Sequence, residues 1–447
     1  MHDLSVALIS LGCAKNLTDS EIMLGYLQQA GYAHVTDIND ADVVIVNTCA
    51  FIDSAKEEAI TELLSVNELR YTGKLRWLIA AGCLSQRYSS ELLTEMPEVD
   101  AFLGSSSYPR ISEVLTRLQQ GEHSFAITEA PECYLPNASM PKKRLTLPAV
   151  AFLKIADGCN NCCSYCTIPF IRGKYRSRSI EDILLEAKNY LDTGAVEICL
   201  VAQDSTAYGT DIYNKPELTT LCSKLLELED LRWLRVLYCH PKNLTTEFLQ
   251  LMATEERLCS YLDLPLQHSE DRVLQAMARP VTKEETIKLI VQARQIVPDL
   301  MLRTTFITGF PGETQEEFEA MCDFVTDMHF DHLGAFAYSQ EEDTPAGKMG
   351  NQHTEQTKTR RRNQLMEIQQ GISELTMKRW LGRKVDVLIE AEGPDGIRIG
   401  RFWGQAPDVD GLVYLQGCTE EPGSLVLARI TGIRGYDFTA ESVGARC

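Results

Sequence analysis

The residues richest in chemistry lie in one stretch, Asp157-Gly-Cys-Asn-Asn-Cys-Cys-Ser-Tyr-Cys166. Read as Cys159-x-x-x-Cys163-x-x-Cys166, it presents three thiols from a single short loop. Closely spaced cysteine thiolates are the usual ligands of iron–sulfur clusters. Three ligands for a four-iron cluster leave one iron without a protein ligand. An open coordination position is what separates a reactive metal site from a closed structural one. Cys162 adds a fourth thiol, so the loop also parses as Cys159-x-x-Cys162 followed by Cys163-x-x-Cys166, a zinc-like pattern. Zinc pairs are usually separated by a longer loop that lets four sulfurs converge tetrahedrally. Here the pairs abut, which favours the cluster and leaves Cys162 a bystander.

Three more cysteines share a context. Cys13 lies in Leu11-Gly-Cys-Ala-Lys-Asn16, Cys49 in Asn47-Thr-Cys, and Cys83 in Ala81-Gly-Cys. Each follows a short apolar run almost at once: Ser5–Ser10, Val43–Val46 and Trp77–Ala80. Such runs alternating with helical patterns mark βα units on a parallel sheet. The carboxyl ends of parallel strands are where open α/β sheets bind ligands. Any one of these cysteines reads as a buried thiol. All three at matching strand ends, each beside a Gly or Thr, point to a second cluster.

The elements that must position these loops divide the chain. Residues 1–128 form the first α/β domain, with a fourth strand at Val99–Leu103 and a helix opening on a capping box at Ser54–Glu57. Residues 129–148 carry Pro131, Pro136, Pro141 and Pro148 and read as a linker. From 149 to 376 six strands alternate with helices: Ala149–Ile155, Val196–Val201, Leu234–Tyr238, Tyr261–Leu264, Leu300–Ile307 and Leu333–Tyr338. Capping boxes stand at Thr282–Glu285 and Thr314–Glu317. Repeated βα units predict a partial (β/α)6 barrel with its site at the C-terminal face, where the cysteine loop falls. His240 and His268 project from the same mouth as weaker candidates. Thr359-Arg-Arg-Arg362 reads as a solvated helix face. Residues 377–447 switch to short strands with Gly/Pro turns (Lys384–Glu390, Ile397–Phe402, Leu412–Gln416, Leu425–Ile430), a small all-β barrel of OB-like character.

Composition narrows the partners. Of 447 residues, 44% are hydrophobic and 24% charged, an ordinary globular balance. No run approaches the ~18 apolar residues of a membrane helix. The N-terminus lacks the basic region and long apolar core of a signal peptide, so a cytoplasmic location is expected. Fifteen cysteines are then reduced thiols rather than a disulfide framework, and Cys199, Cys239 and Cys322 read as core. Cys418 and Cys447 have no nearby partner. The net charge is −20, with 8 basic against 19 acidic residues up to position 140. Nucleic-acid affinity rests largely on Lys and Arg, so this balance opposes RNA binding and favours a basic protein partner.

On these motifs the chain resembles the methylthiotransferases, a radical S-adenosylmethionine (SAM) family. Leu11–Glu21, Asn47–Ile52 and Ala81–Arg87 are similar to the family's cluster-binding segments, and Cys159–Cys166 to its radical-SAM loop. The resemblance implies an auxiliary 4Fe–4S cluster on Cys13, Cys49 and Cys83, and a SAM-binding 4Fe–4S cluster on Cys159, Cys163 and Cys166. It further implies SAM contacts from Tyr165, Gln203, Gly309 and Gly312, and a C-terminal TRAM domain that docks substrate. Ala-Lys-Asn after Cys13, Pro265–His268, Arg303–Phe306 and Tyr338–Glu342 resemble the ribosomal-protein (RimO-type) branch. That branch methylthiolates the β-carbon of an aspartate in the small-subunit ribosomal protein numbered twelve, with an external electron donor and a sulfur donor. No acid–base residue is required, because a radical removes the weakly acidic β-hydrogen. Ala14, Cys162 and Asp343 depart from the branch pattern. The same chemistry on tRNA adenosine, and a non-catalytic iron–sulfur carrier, are the alternatives.

Overall fold

The computed structural model describes residues 4–445; Cys447 lies outside them. The first unit is a six-stranded, all-parallel sheet. Its strands are Ser5–Ser10 (β1), Ala33–His34 (β2), Val43–Thr48 (β3), Trp77–Gly82 (β4), Ala101–Gly104 (β5) and Phe125–Ile127 (β6), in the order β2-β1-β3-β4-β5-β6. β3 reads as a continuous apolar run because both faces are covered. Val43 and Ile45 enter one core, Val44 and Val46 the other. The two-residue β2 and three-residue β6 were not expected, being too short to show a period. The helices α1 (Ala14–Gln29), α2 (Asp53–Asn67) and α3 (Cys83–Glu95) follow β1, β3 and β4.

The expected capping box at Ser54–Glu57 does not form. Helix α2 begins at Asp53 with Ile52 as its cap and no side-chain capping bond. Instead the Asp53 N–H donates to Ser339 Oγ at 3.0 Å, so a distant loop replaces the local cap.

Six parallel strands build the second unit: Val150–Lys154 (β7), Glu197–Val201 (β8), Trp233–Val236 (β9), Tyr261–Asp263 (β10), Met301–Thr308 (β11) and His332–Ala337 (β12). They form two hydrogen-bonded triplets, β7-β8-β9 and β10-β11-β12. The seam is spanned by a bridge from Leu234 to Leu258 and by the Cys239 N–H to Asp263 O bond of 2.9 Å. This is the expected partial barrel. Its outer residues, such as Ala151 and Leu153, pack on helices, while Val150 and Phe152 face the lumen. The short helix α4 (Ile168–Arg172) follows the cysteine loop. Helices α5 (Lys283–Ile296) and α6 (Gln315–Met328) open on complete capping boxes at Thr282/Glu285 and Thr314/Glu317.

Helix α7 (Glu355–Met377) leads to the third unit. Its arginine run is not a uniformly solvated face, since Arg361 is buried and pairs with Glu313 at 2.6 Å. A closed five-stranded barrel follows: Lys384–Glu392 (β13), Arg398–Phe402 (β14), Val413–Gln416 (β15), Leu425–Arg434 (β16) and Asp437–Ala445 (β17). The sequence reading had four strands. The fifth was hidden because Asp437–Ala445 holds few large apolar residues. The lumen of the six-stranded barrel and the core of this small barrel form one hydrophobic cluster, joining Phe152, Tyr261 and Met301 to Val387, Phe402 and Phe438. Among the described residues no helix is long and apolar enough to cross a membrane.

Candidate functional site

In the N-terminal sheet the strand order reverses between β1 and β3, and ligands of open parallel sheets bind at such switch points. Cys13 caps α1 just after β1, Cys49 follows β3, and Cys83 is the first residue of α3 directly after β4. Gly12 has φ +86°, and a Cβ there would stand 2.8 Å from Cys49 Cβ. Only glycine lets the two cysteine turns approach this closely. Asn16 and Asn47 lock the turns together. The Asn16 amide donates to Leu11 O (2.9 Å) and Thr48 O (3.1 Å), and the Asn47 amide to Asn16 O (2.9 Å) and Ser20 Oγ (2.8 Å).

The three thiols feel one another. Burial, with the charges of Cys83 and Cys13, pushes Cys49 up to about 12. Burial also raises Cys83, against the pull of Arg172. At Cys13 the surrounding protein opposes charge, but Lys15, Arg172 and nearby backbone N–H groups outweigh it and lower the pKa. Soft sulfur donors converging from three strand ends fit an iron–sulfur cluster.

The second set lies at the C-terminal end of β7. Burial raises Cys159 to about 11 and Cys166 to about 12, and the charge of Cys163 pushes both the same way. The loop is pinned by Cys159 N–H to Gly173 O (3.1 Å), Ser164 N–H to Met277 O (3.0 Å) and Ser164 Oγ to Ala276 O (2.7 Å). Cys162 is exposed, with its sulfur 3.8 Å from Asn160 O. No three His, Cys, Asp or Glu side chains among the described residues close on a single metal ion.

Between the two sets runs a buried charge network that the sequence reading missed. Asp19 of α1 accepts from Lys154 Nζ at 2.5 Å and from Arg172 Nη1 at 2.7 Å. The same two cations reach Asp157 at 3.7 and 3.4 Å. Arg172 Nη2 also lies 3.6 Å from Cys83 Sγ. One guanidinium thus touches Cys83 and the carboxylate two residues before Cys159. Burial alone would raise Asp157, but Lys154 and Arg172 hold it at about 2. The only local hint was the position of Arg172, six residues after the last loop cysteine; its side-chain partners are 15 to 156 residues away.

The sequence-predicted SAM contacts fall around this loop. Gln203 donates to Asp157 Oδ1 at 2.7 Å, while its own buried Oε1 has no hydrogen-bond partner among the described residues. An orphaned acceptor beside the loop fits a ligand that brings a donor. Tyr165 packs against the cluster of Phe310, Tyr338, Met277, Val273 and Ala346. Gly309 has a packing reason of its own, since a Cβ there would meet Lys358 Cγ at 2.6 Å. Gly312 has φ +76° and open space around it, and its carbonyl accepts from Arg272 at 2.7 Å. His268 is tied to Glu313 at 3.3 Å and to the Glu270 N–H at 3.0 Å, a structural role. His240 is buried and, pressed by Arg279 and Lys242 as well, titrates at about 3.

A cavity of about 130 Å³ opens between the domains. Phe51 and Ile52 come from the loop after Cys49, Tyr165 from the cysteine loop, and Gln267, Thr305 and Ile307 from the six-stranded barrel. Buried Glu341 closes one side by pairing with Arg87 (2.5 Å) and Lys56 (3.1 Å). Segments that read only as family motifs, Ala81–Arg87 and Tyr338–Glu342, are thereby the clasp between two domains.

The partial (β/α)6 barrel with a cysteine loop at its mouth defines a radical-SAM enzyme, which uses SAM and an iron–sulfur cluster. The sequence profile of the Radical SAM superfamily matches residues 153–325, that of the TRAM domain 381–443, and that of Uncharacterized protein family UPF0004 residues 5–104. Chains called ribosomal protein uS12 methylthiotransferase RimO are 47% identical over 100% of both chains in Syntrophus aciditrophicus and 44% identical over 98% of both in Clostridioides difficile. The chain belongs to this methylthiotransferase family. Among solved structures, TsrM from Kitasatospora setae, with cobalamin and a [4Fe-4S] cluster bound, superimposes with a TM-score of 0.55. It is 14% identical and covers 78% of this chain and 74% of its own, a likeness of fold.

Proposed function

We propose that this enzyme methylthiolates the β-carbon of an aspartate in ribosomal protein uS12, the substrate in its relatives' name. In this reading Cys159, Cys163 and Cys166 hold the SAM-binding 4Fe–4S cluster, and Cys13, Cys49 and Cys83 hold an auxiliary one. When bound, the first supplies reductive cleavage of SAM to a hydrogen-abstracting radical, and the second supplies the sulfur. Tyr165, Gln203 and the Gly309–Gly312 turn face SAM. Arg172, touching Cys83 and Asp157, fixes one thiol set relative to the other, and the cavity between Phe51, Tyr165 and Thr305 takes substrate groups that flank the target side chain. Residues 1–128 act as the auxiliary-cluster domain, 149–376 as the radical-SAM core and 377–447 as the substrate-docking TRAM domain. An external electron donor and a sulfur donor serve the reaction in the cytoplasm.

The observation that carries this reading is that Cys13, Cys49 and Cys83 each follow a neighbouring parallel strand at the switch point of the sheet, with Gly12 against Cys49 and Arg172, from the helix after the radical-SAM loop, against Cys83. A carrier would need neither that junction nor the cavity. The net charge of −20 favours a basic ribosomal protein over tRNA. The test is anaerobic reconstitution with iron and sulfide counted per chain. About eight irons in the wild type should fall to about four in the Cys13/Cys49/Cys83→Ala variant, with SAM cleavage kept. Four irons in both would remove the auxiliary cluster. Mass spectrometry of uS12 after turnover tests the substrate.

A further inference from the structure

Among the charged groups that the assigned roles leave over, Lys15 stands out. It lies two residues beyond Cys13 in the first turn of α1 and is only 9% exposed. Its ammonium sits 3.3 Å from the centroid of the Tyr238 ring. Among the described residues no carboxylate comes within 4.0 Å of it. A buried ammonium is costly unless it is paired, and every other deeply buried lysine here has its carboxylate. Lys154 has Asp19, and Lys358 has Glu355.

The charged groups whose fields reach Lys15 are Cys13, Asp263, Arg172 and Asp157. Both carboxylates are engaged elsewhere. Asp157 takes Gln203, Arg172 and Lys154. Asp263 accepts the Tyr238 N–H at 2.8 Å and faces Arg303 at 3.9 Å. Tyr238 has φ +61°, a conformation that a bulky residue rarely adopts. The Asp263 bond holds that strained backbone, and the ring is thereby set against the ammonium. Strain of this kind concentrates at ligand clamps.

We propose that the Lys15 ammonium receives the carboxylate of the substrate aspartate and so selects an acidic side chain as the group to be modified. The inference rests on the preceding assignment of uS12 as substrate. Lys15 extends from the Cys13 turn over Tyr238, which follows β9, and lies within the field of Asp157, two residues before Cys159. A carboxylate held there by a charge-assisted bond has its β-carbon one bond away, fixed in orientation between the two thiol sets. The amide of asparagine, equal in size but neutral, would forfeit the charge pairing.

The test is equilibrium binding of recombinant uS12, and of uS12 with its target aspartate changed to asparagine, to reconstituted wild-type and Lys15→Gln enzymes. Wild type should prefer the aspartate form by on the order of 10- to 100-fold, the usual worth of a hydrogen bond to a charged group. Lys15→Gln should lose that preference while binding the asparagine form as wild type does and keeping the wild-type iron content. Equal affinity of the wild-type enzyme for both uS12 forms would overturn the proposal whatever the variant does. Loss of iron in Lys15→Gln would also overturn it, showing that Lys15 serves the cluster. If wild type adds no methylthio group to uS12, the substrate assignment itself fails. If it does so without the aspartate preference, only the role of Lys15 fails.

Discussion

Two buried charge clusters join the domains of this protein, and they are alike in content but not in finish. One links the N-terminal domain to the cysteine loop through Asp19, Lys154, Asp157 and Arg172. The other links the two barrels through Glu197, Arg235, Arg401 and Glu390, with contacts of 2.5 to 2.8 Å. Each balances two cations against two carboxylates. At the barrel joint the arginines end mostly on protein: Arg235 on Trp403 O and over the Tyr261 ring, Arg401 on Gln405 O, with Arg235 Nη2 and Gln405 Nε2 left without a hydrogen-bond partner among the described residues. At the site the network runs out to a thiol, to the open Oε1 of Gln203 and, nearby, to the unpaired ammonium of Lys15. Burial and perturbed titration are common to both clusters. What marks the proposed site is the kind of group left open: a thiol, an amide acceptor and a lysine with no carboxylate partner among the described residues, against a guanidinium nitrogen and an amide nitrogen inside a packed joint.

The largest effect that would break this comparison is at Arg172. Arg172→Leu strands Asp19 and Asp157 with one cation between them and strips the donor from Cys83. Stability should fall by about 3–5 kcal/mol, read as a lower urea midpoint, and iron bound at Cys13, Cys49 and Cys83 should be lost with it. Arg401→Met should cost a similar or slightly smaller amount, since Arg235 still neutralises Glu197. Here the folded enzyme should keep its iron and its SAM cleavage. Replacing Glu197, Arg235 and Arg401 together by apolar residues should be nearly neutral, because a buried ion network often contributes little against good packing. The same treatment of the site network would abolish activity. If both clusters tolerate apolar replacement with full turnover, the distinction drawn between them is wrong.

Acid sharpens it further. Burial works against the charge of Glu197, but Arg401 and Arg235 hold its pKa at about 2, as Lys154 and Arg172 do for Asp157. Unfolded carboxylates titrate near 4. These depressed groups therefore contribute stability that is full above about pH 4 and is lost as pH falls toward 2. Each contributes on the order of 3 kcal/mol. His240 adds a slope of the same sign over a wider pH range. Its folded value of about 3 lies below the unfolded 6.5, so stability begins to decline below about pH 6.5. Glu197→Gln and Asp157→Asn should each flatten the loss between pH 4 and 2 in urea titrations. Only Asp157→Asn should also impair SAM cleavage.

Much of this was readable in the chain because its signals are local. The six strands of the middle unit sit within a few residues of their apolar runs, and both capping boxes at Thr282 and Thr314 formed. The cysteine motifs were visible as spacing. What stayed hidden depends on partners far along the chain. Asp19 meets Lys154 across 135 residues, Arg87 meets Glu341 across 254, and the start of α2 is fixed by Ser339. Pairings of that kind leave no period in the sequence. The same reason explains Arg361, which looked like one charge in a solvated run until Glu313 drew it inward.

The smallest expected effect is at Cys162, and it tests whether adjacency in sequence means membership in the site. The charge of Cys163 raises both Cys159 and Cys166, and that of Cys159 also raises Cys166, whereas Cys162 figures in neither shift. Its sulfur is exposed and turned toward Asn160 O. The backbone on either side is held by bonds from Asn161 N–H to Cys159 Sγ (3.4 Å) and Cys166 N–H to Cys163 O (3.1 Å), which do not involve the Cys162 side chain. Cys162→Ser should therefore change stability by less than about 0.5 kcal/mol, as exposed substitutions away from special features do. Iron content and the rate of SAM cleavage should match wild type. A loss of iron would show that the loop exchanges Cys162 for Cys163 on loading. The comparison would then lose its premise that geometry, rather than the mere presence of thiols, sets the functional cluster apart.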